Sequence, residues 1–175
     1  MYASYQKLAR FYDSMHKRRD YDKESSFVLN KIIKINPKAK SLLDVGCGTG
    51  THLQILSKQF EHLAGVDLNN EILKLAKLKF PSATYQQASM QNFHLKQKFD
   101  AIMSLYSVFN YNLTIDDAER TLRNMYTHLN KSGVLVIALY VARNIERKIL
   151  RQRRNKYFKN SPSLRSSFIL LELEG

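Results

Sequence analysis

Apolar and polar positions follow two rhythms along this chain. Short apolar runs stand at 42–46 (LLDVG), 62–68 (HLAGVDL), 83–88 (ATYQQA), 99–106 (FDAIMSLY) and 133–140 (GVLVIALY). The last two are apolar throughout, the pattern of strands covered on both faces. Between the runs the spacing turns helical. Residues 51–59 carry Leu53, Leu56 and, just beyond, Phe60 on one face; 70–80 carry Ile72, Leu73, Ala76 and Phe80, with Pro81 as the stop. Residues 116–129 carry Ala118, Leu122, Met125, Tyr126 and Leu129, followed by Asn130, Lys131, Ser132 and Gly133 as the stop. Alternation of this kind predicts an α/β fold: a Rossmann-like, doubly wound, mostly parallel sheet with helices on both faces.

The flanks read differently. Residues 4–35 are mostly helical in pattern, with an apolar stripe of Phe27, Val28, Ile32 and Ile33, and with Tyr2, Tyr5, Tyr12 and Tyr21 crowded into the first part. Residues 143–158 read as a basic helix, 160–163 as a turn and SFILLELE as a short last strand. The 175 residues fit one domain: an N-terminal helical lid over 1–40, a core over 41–140, and a basic helix with an edge strand over 141–175.

Charge changes meaning once it is partitioned. The formal net charge is +13, but residues 41–142 carry only +1, while 1–40 carry +6 and 143–165 carry +8. The core is close to neutral and the basic character sits in the flanks. Clustered Lys and Arg there raise a nucleic-acid partner as an alternative, yet aromatics enter the basic helix only at Tyr157 and Phe158, too few for a base-stacking surface. The single cysteine, Cys47, excludes an internal disulfide, and no Cys/His cluster has metal-ligand spacing. A reducing, cytoplasmic setting without a membrane span or signal segment is the expectation.

The chemistry concentrates at Asp44-Val45-Gly46-Cys47-Gly48-Thr49-Gly50-Thr51. A buried strand runs into a glycine-rich turn that opens a helix, where an open parallel sheet binds ligands beyond the carboxyl ends of its strands. A dinucleotide site wants G-x-G-x-x-G; this turn is G-x-G-x-G, with Thr51 in place of the third glycine. Asp67 ends the second strand, where a carboxylate can accept both hydroxyls of a ribose, a feature that serves either kind of nucleotide cofactor.

D-V-G-C-G-T-G followed by G-V-D-L resembles the cofactor site of the class I S-adenosylmethionine-dependent methyltransferases. The resemblance continues through Ala88-Ser89-Met90, Phe99-Asp100-Ala101-Ile102 and Leu129 to Leu135, about residues 40–140 in the family's order. It implies S-adenosyl-L-methionine as cofactor, with Asp44 and the turn of Gly46, Cys47, Gly48 and Gly50 at its methionine end. Asp67 would take the ribose hydroxyls, Leu68 and Met90 would flank the adenine, and backbone at Leu105 and Tyr106 would face the sulfonium. Many relatives carry Asp where Ser89 stands, so a weaker hydrogen bond to the adenine amino group is expected.

The N-terminal pattern Leu8-Ala9-Arg10-Phe11-Tyr12-Asp13, with Lys17 and Asp20-Tyr21, is similar to methyltransferases of small molecules, among them amino-sugar and glycine-type N-methyltransferases. That similarity implies a small-molecule acceptor, with Tyr12 and Tyr21 in the lid as candidate catalytic residues. Tyr111 joins them on the acceptor wall after the fourth strand, where several amino-sugar relatives carry His. An unperturbed tyrosine, with a pKa of about 10, is a poor base. An amine with a free lone pair needs only alignment, which favours N- over O-methylation. Cys47 reads as a small buried filler, and His52, opening a helix beside the glycine turn, is the one histidine placed near the site.

Only about 35 residues follow Tyr140, whereas family members place two further strands there. The expectation is a sheet lacking its last edge strand, with 168–171 as a surface on which a second copy could pair. Two other readings stand beside the methyltransferase one: a cofactor-binding protein without catalysis, and an RNA or protein methyltransferase using the basic flanks.

Overall fold

A computed structural model describes residues 19–140 and 167–173; the expected basic helix, the first part of the lid and Tyr12 lie outside them. Helix α1 (Tyr21–Ile35) precedes β1 (Ser41–Val45), α2 (Thr51–Leu56), β2 (His62–Asp67), α3 (Asn70–Lys79) and β3 (Thr84–Gln87). Then come β4 (Phe99–Ser104), a 3-10 turn (Val108–Tyr111), α4 (Ile115–Thr127), β5 (Leu129–Tyr140) and β6 (Ser167–Leu173). The sheet order is β3-β2-β1-β4-β5-β6, every pair parallel. The final apolar segment does form a strand, and it occupies the edge beside β5. Among the described residues no helix is long and apolar enough to cross a membrane.

Side chains of each central strand divide between two cores, because successive residues point to opposite faces. Leu42, Ala101, Met103, Val134 and Val136 pack on one face with Val28 and Ile32 of α1, Leu53 and Leu56 of α2, and Leu73 of α3. Leu43, Val45, Ile102, Leu135 and Ile137 pack on the other with Leu122 and Met125 of α4. The order in which strands are added to the sheet reverses between β1 and β4, which places the helices on both faces and opens a crevice at the carboxyl ends of those two parallel strands.

The described part of the lid is anchored in the core. Of the expected stripe in α1, Val28 and Ile32 are buried and Ile33 is partly buried, whereas Phe27 is half exposed and Ser25 joins the buried face. Asp20 caps the helix by accepting from Lys23 N at 2.9 Å. A second difference lies before β5. Helix α4 ends at Thr127 and the strand begins at Leu129, with the register against β4 shifting between Phe99 and Ala101. The residues expected only to stop the helix, Asn130 to Gly133, are taken into the strand as an irregularity that passes Ser132 at φ 70°.

Asp100 ties together the end of the sheet remote from the glycine turn. Its Oδ2 accepts from Lys40 N (2.9 Å), Ser41 N (3.1 Å) and Ser41 Oγ (2.9 Å), and its Oδ1 from Asn130 Nδ2 (2.8 Å). Burial opposes the charged form, but these donors outweigh it and lower the carboxyl below its usual range. Asp100→Ala strands the donors and is expected to cost about 2 kcal/mol in urea unfolding. The contribution is fully present above the unfolded pKa of about 3.9 and fades as pH falls through the depressed folded value. The Ala variant therefore loses less stability than the parent on acidification, and equal acid limbs would contradict this account.

Candidate cofactor site

β1 delivers the chain into a turn that only glycine tolerates at its key point. Gly46, Gly48 and Gly50 have φ of 85°, 55° and 73°. At Gly46 a Cβ would stand 2.4 Å from Val108 Cγ1, so the turn is closed from above by the segment after β4. Two hydrogen bonds pin it from below: Gly46 N (2.7 Å) and Cys47 N (3.0 Å) both donate to Val66 O of β2. Asp67 completes the fastening, its Oδ2 accepting from Gly48 N at 3.0 Å and its Oδ1 from Asn69 N at 2.9 Å. From the other side Lys79 Nζ, at the end of α3, donates to Thr49 Oγ1 (3.1 Å) and Thr51 Oγ1 (3.0 Å).

A cleft opens over this turn, lined by Tyr21, Asp44, Gly46, Cys47, Gly48, Thr49, Thr51, His52, Leu105 and Tyr106. Six of the expected residues therefore meet in one place: Tyr21, Asp44, Gly46, Cys47, Gly48 and Leu105. Asp67, Leu68, Ser89 and Met90 continue along the same carboxyl edge of the sheet. Ala88 N donates to Asp67 O at 3.1 Å, which brings Ser89 and Met90 off β3 beside Leu68. Leu68 is half exposed. The Ser89 hydroxyl donates to Asn92 Oδ1 at 2.7 Å, so its lone pairs face outward. Gly50 caps α2, and a Cβ on it would meet Tyr85 Oη at 2.8 Å. Tyr111 is half exposed on the 3-10 turn and does not line the cleft.

The wall is completed by side chains to which the sequence reading gave no role; of Tyr106 it used only the backbone. Tyr106 and Ser107 follow β4 with φ of 52° and 58°, a left-handed conformation that costs a non-glycine residue about 1–2 kcal/mol. The strain turns the Tyr106 ring toward the cleft, where the Arg19 guanidinium lies 3.6 Å from its centroid. Tyr21 and His52 meet it at centroid distances of 6.1 and 5.2 Å. Nothing in the sequence rhythm marks a left-handed tyrosine or a cation stacked on it; only the position of His52 at the start of α2 hinted at this corner.

The electrostatics separate the acids. Asp44, buried, receives no hydrogen bond on its carboxyl from any described residue, and burial, with Asp67 adding, pushes it up to about 8. Burial raises Asp67 as well, against the lowering effect of the Asn69, Gly48 and Leu68 backbone donors. Burial and then the Arg19 charge lower His52 to about 4, so it is neutral at neutral pH.

With this geometry in place, the comparisons with known proteins fall into line. The fold and cleft define a parallel α/β domain that binds a nucleotide-like cofactor at its topological switch point. A family model described as "Methyltransferase domain" matches residues 42–133, and the chain belongs to that family. It is 37% identical over 119 residues to a dTDP-3-amino-3,4,6-trideoxy-alpha-D-glucopyranose N,N-dimethyltransferase of Streptomyces venezuelae, covering 68% of this chain and 50% of that protein. Among solved structures, DesVI of Streptomyces venezuelae superposes with a TM-score of 0.74 at 34% identity, over 78% of this chain and 59% of that one. The SAM-bound amino pentose methyltransferase CalS10 of Micromonospora echinaspora gives 0.71 at 31% identity, over 74% and 56%. The chain spans about half the length of the curated relatives it matches.

The buried, unpaired Asp44 carboxyl makes a stability prediction for the free protein. Its folded pKa of about 8 exceeds the unfolded value of about 3.9, so the unfolded chain gives up the proton first and stability falls as pH rises between the two. Asp44→Asn removes this loss. Thermal melts from pH 5 to 8 should fall less steeply for the variant than for the parent, and parallel slopes would refute the assignment.

Proposed function

We propose that this chain binds S-adenosylmethionine in the cleft over the glycine turn and transfers its methyl group to an amine of a small molecule. The observation that carries the reading is a buried carboxyl, Asp44, which receives no hydrogen bond from any described residue and lines a cleft beside which a second, partly buried carboxyl, Asp67, ends β2. Uncompensated burial of such a group is costly unless a cation arrives. An α-amino acid joined to a ribonucleoside fits both ends: its ammonium meets Asp44 and its ribose hydroxyls meet Asp67.

Each acid keeps the capacity its role requires. Asp67 uses one lone pair of each oxygen on the turn and keeps the others for hydroxyl donors. Leu68 and Met90 supply apolar faces for a purine, and the outward lone pairs of Ser89 can accept from its amino group. Arg19 places a cation beside the cleft for the carboxylate of the amino acid. When bound, S-adenosylmethionine supplies a methyl group on a sulfonium, an electrophile for in-line displacement. The protein's part is to hold that methyl and the acceptor nitrogen in line, which converts a bimolecular encounter into an oriented one. With His52 neutral, Tyr111 outside the cleft and Asp44 committed to the ammonium, no described side chain of the cleft is left as a strong base, which supports an acceptor that brings its own lone pair. The relatives named for amino-sugar N,N-dimethylation support the same class of acceptor.

Binding is tested with S-adenosylhomocysteine by calorimetry. Asp67→Ala is expected to weaken the affinity about 10- to 100-fold, the scale of hydrogen bonds to a charged group; unchanged affinity would sink the site assignment. Pairing with an ammonium draws the Asp44 pKa down from about 8 and releases a proton, so the affinity should rise with pH between about 6 and 7.5. Asp44→Asn should flatten that rise.

Acceptor class is tested with nucleotide-linked amino sugars, in parallel with the corresponding hydroxy sugars, by S-adenosylhomocysteine release. Turnover confined to the amino compounds is the expected result. Turnover confined to the hydroxy compounds would overturn the N-methylation reading.

A further inference from the structure

Among the described residues two histidines are buried, and they are spent differently. His128 uses both ring nitrogens on the backbone: Nε2 accepts from Leu95 N at 3.1 Å, and Nδ1 lies 2.9 Å from Asn124 O. That is a structural staple. His52 Nε2 faces only side chains, the Tyr106 hydroxyl at 3.3 Å and Glu24 Oε2 at 3.5 Å, at the wall of the cleft.

One ring nitrogen stands before two oxygens, and proton counting decides which it serves. Burial and the Arg19 guanidinium keep the imidazole neutral. A neutral imidazole carries one proton, on Nδ1 or on Nε2; with it on Nδ1, Nε2 can only accept, and so can an ionised carboxylate, so the two have nothing to exchange. Glu24 Oε2 is a buried atom without a hydrogen-bond partner among the described residues, as that tautomer requires. Tyr106 has a proton to give. In that tautomer its hydroxyl donates to His52 Nε2, 3.3 Å away, and what it presents to the cleft is lone pairs alone. A phenol left free could turn either its proton or its lone pairs to a ligand; this one has its polarity fixed. Packing alone would not require the oxygen, since phenylalanine would fill the same space, yet the ring is held in a strained backbone conformation between Arg19, Tyr21 and His52.

We infer that His52 holds its ring proton on Nδ1 and so, as a positioning residue, fixes the polarity of the Tyr106 phenol, and that Tyr106 Oη is a second acceptor, beside Asp44, for the ammonium of the amino acid moiety bound in the cleft. The inference rests on the cofactor reading above. It follows from donor arithmetic: an ammonium brings three N–H groups, Asp44 supplies one carboxyl, and Tyr106 lines the same cleft. A phenol also keeps its accepting state at a pH where Asp44 still changes its own.

The test uses two compounds that share adenine, ribose and thioether, S-adenosylhomocysteine and 5′-methylthioadenosine, of which only the first has the amino acid end. Tyr106→Phe removes one oxygen and is expected to weaken S-adenosylhomocysteine about tenfold while leaving 5′-methylthioadenosine unchanged. His52→Leu should produce the same selective loss alone and no further loss in the Tyr106→Phe background. His52→Gln, which restores an accepting oxygen, should recover most of the affinity. If Tyr106→Phe binds S-adenosylhomocysteine as the parent does, or loses both compounds equally, the proposal is overturned and the cofactor reading stands. If the parent binds neither compound, both fall together.

Discussion

The fastening of one turn between two strands governs this domain. Val66 O at the end of β2 accepts two consecutive N–H groups from the turn after β1, and the next side chain along, Asp67, accepts a third. The turn cannot move without breaking with β2, and β2 is held in register by β1 over five residue pairs. The crevice at the switch point is therefore pre-formed, its floor set by backbone geometry rather than by mobile side chains. Binding energy need not be diverted into ordering the loop.

That rigidity comes with electrostatic cost, which the site carries on purpose-built groups. Asp44 is held where its charge is unwelcome, and the turn that shields it supplies no donor to its carboxyl. Asp67 is only partly buried and draws on backbone N–H groups. Two acids a short distance apart thus differ in readiness: one is committed to architecture with lone pairs to spare, the other waits for a counter-charge. The near neutrality of the core sequence conceals this local polarisation, because formal charge counts ignore burial.

Much of the fold was legible in the residues. The five apolar runs and the helical stripes between them became β1 to β5 and α2 to α4, since burial on both faces leaves a strand little freedom of composition. The differences have local causes. Residues 130–133 carry the composition of a helix stop, yet Leu129 packs into the core from a strand, and Gly133 is needed because a Cβ there would meet Leu129 Cγ at 2.6 Å. In α1 Ser25 lies on the buried face and Phe27 is half exposed, a placement that no periodicity records. For the site, the glycine turn, Asp44 and Asp67 announce themselves by spacing. Arg19, the Tyr106 side chain and the Lys79 clamp do not, because their roles depend on a left-handed backbone and on contacts between residues far apart in the chain.

Cys47 carries a further consequence. It stands in the cleft wall, buried against Gly65, where a Cβ would come within 2.6 Å of its sulfur. Burial, reinforced by Asp44 and Asp67, drives the thiol well above its ordinary range. On the proposed function, a site that would hold an electrophilic methyl group contains the softest nucleophile of the side-chain repertoire, and burial disarms it by denying it the thiolate form. Chemical fidelity would then be negative as well as positive, resting also on what the wall fails to attack.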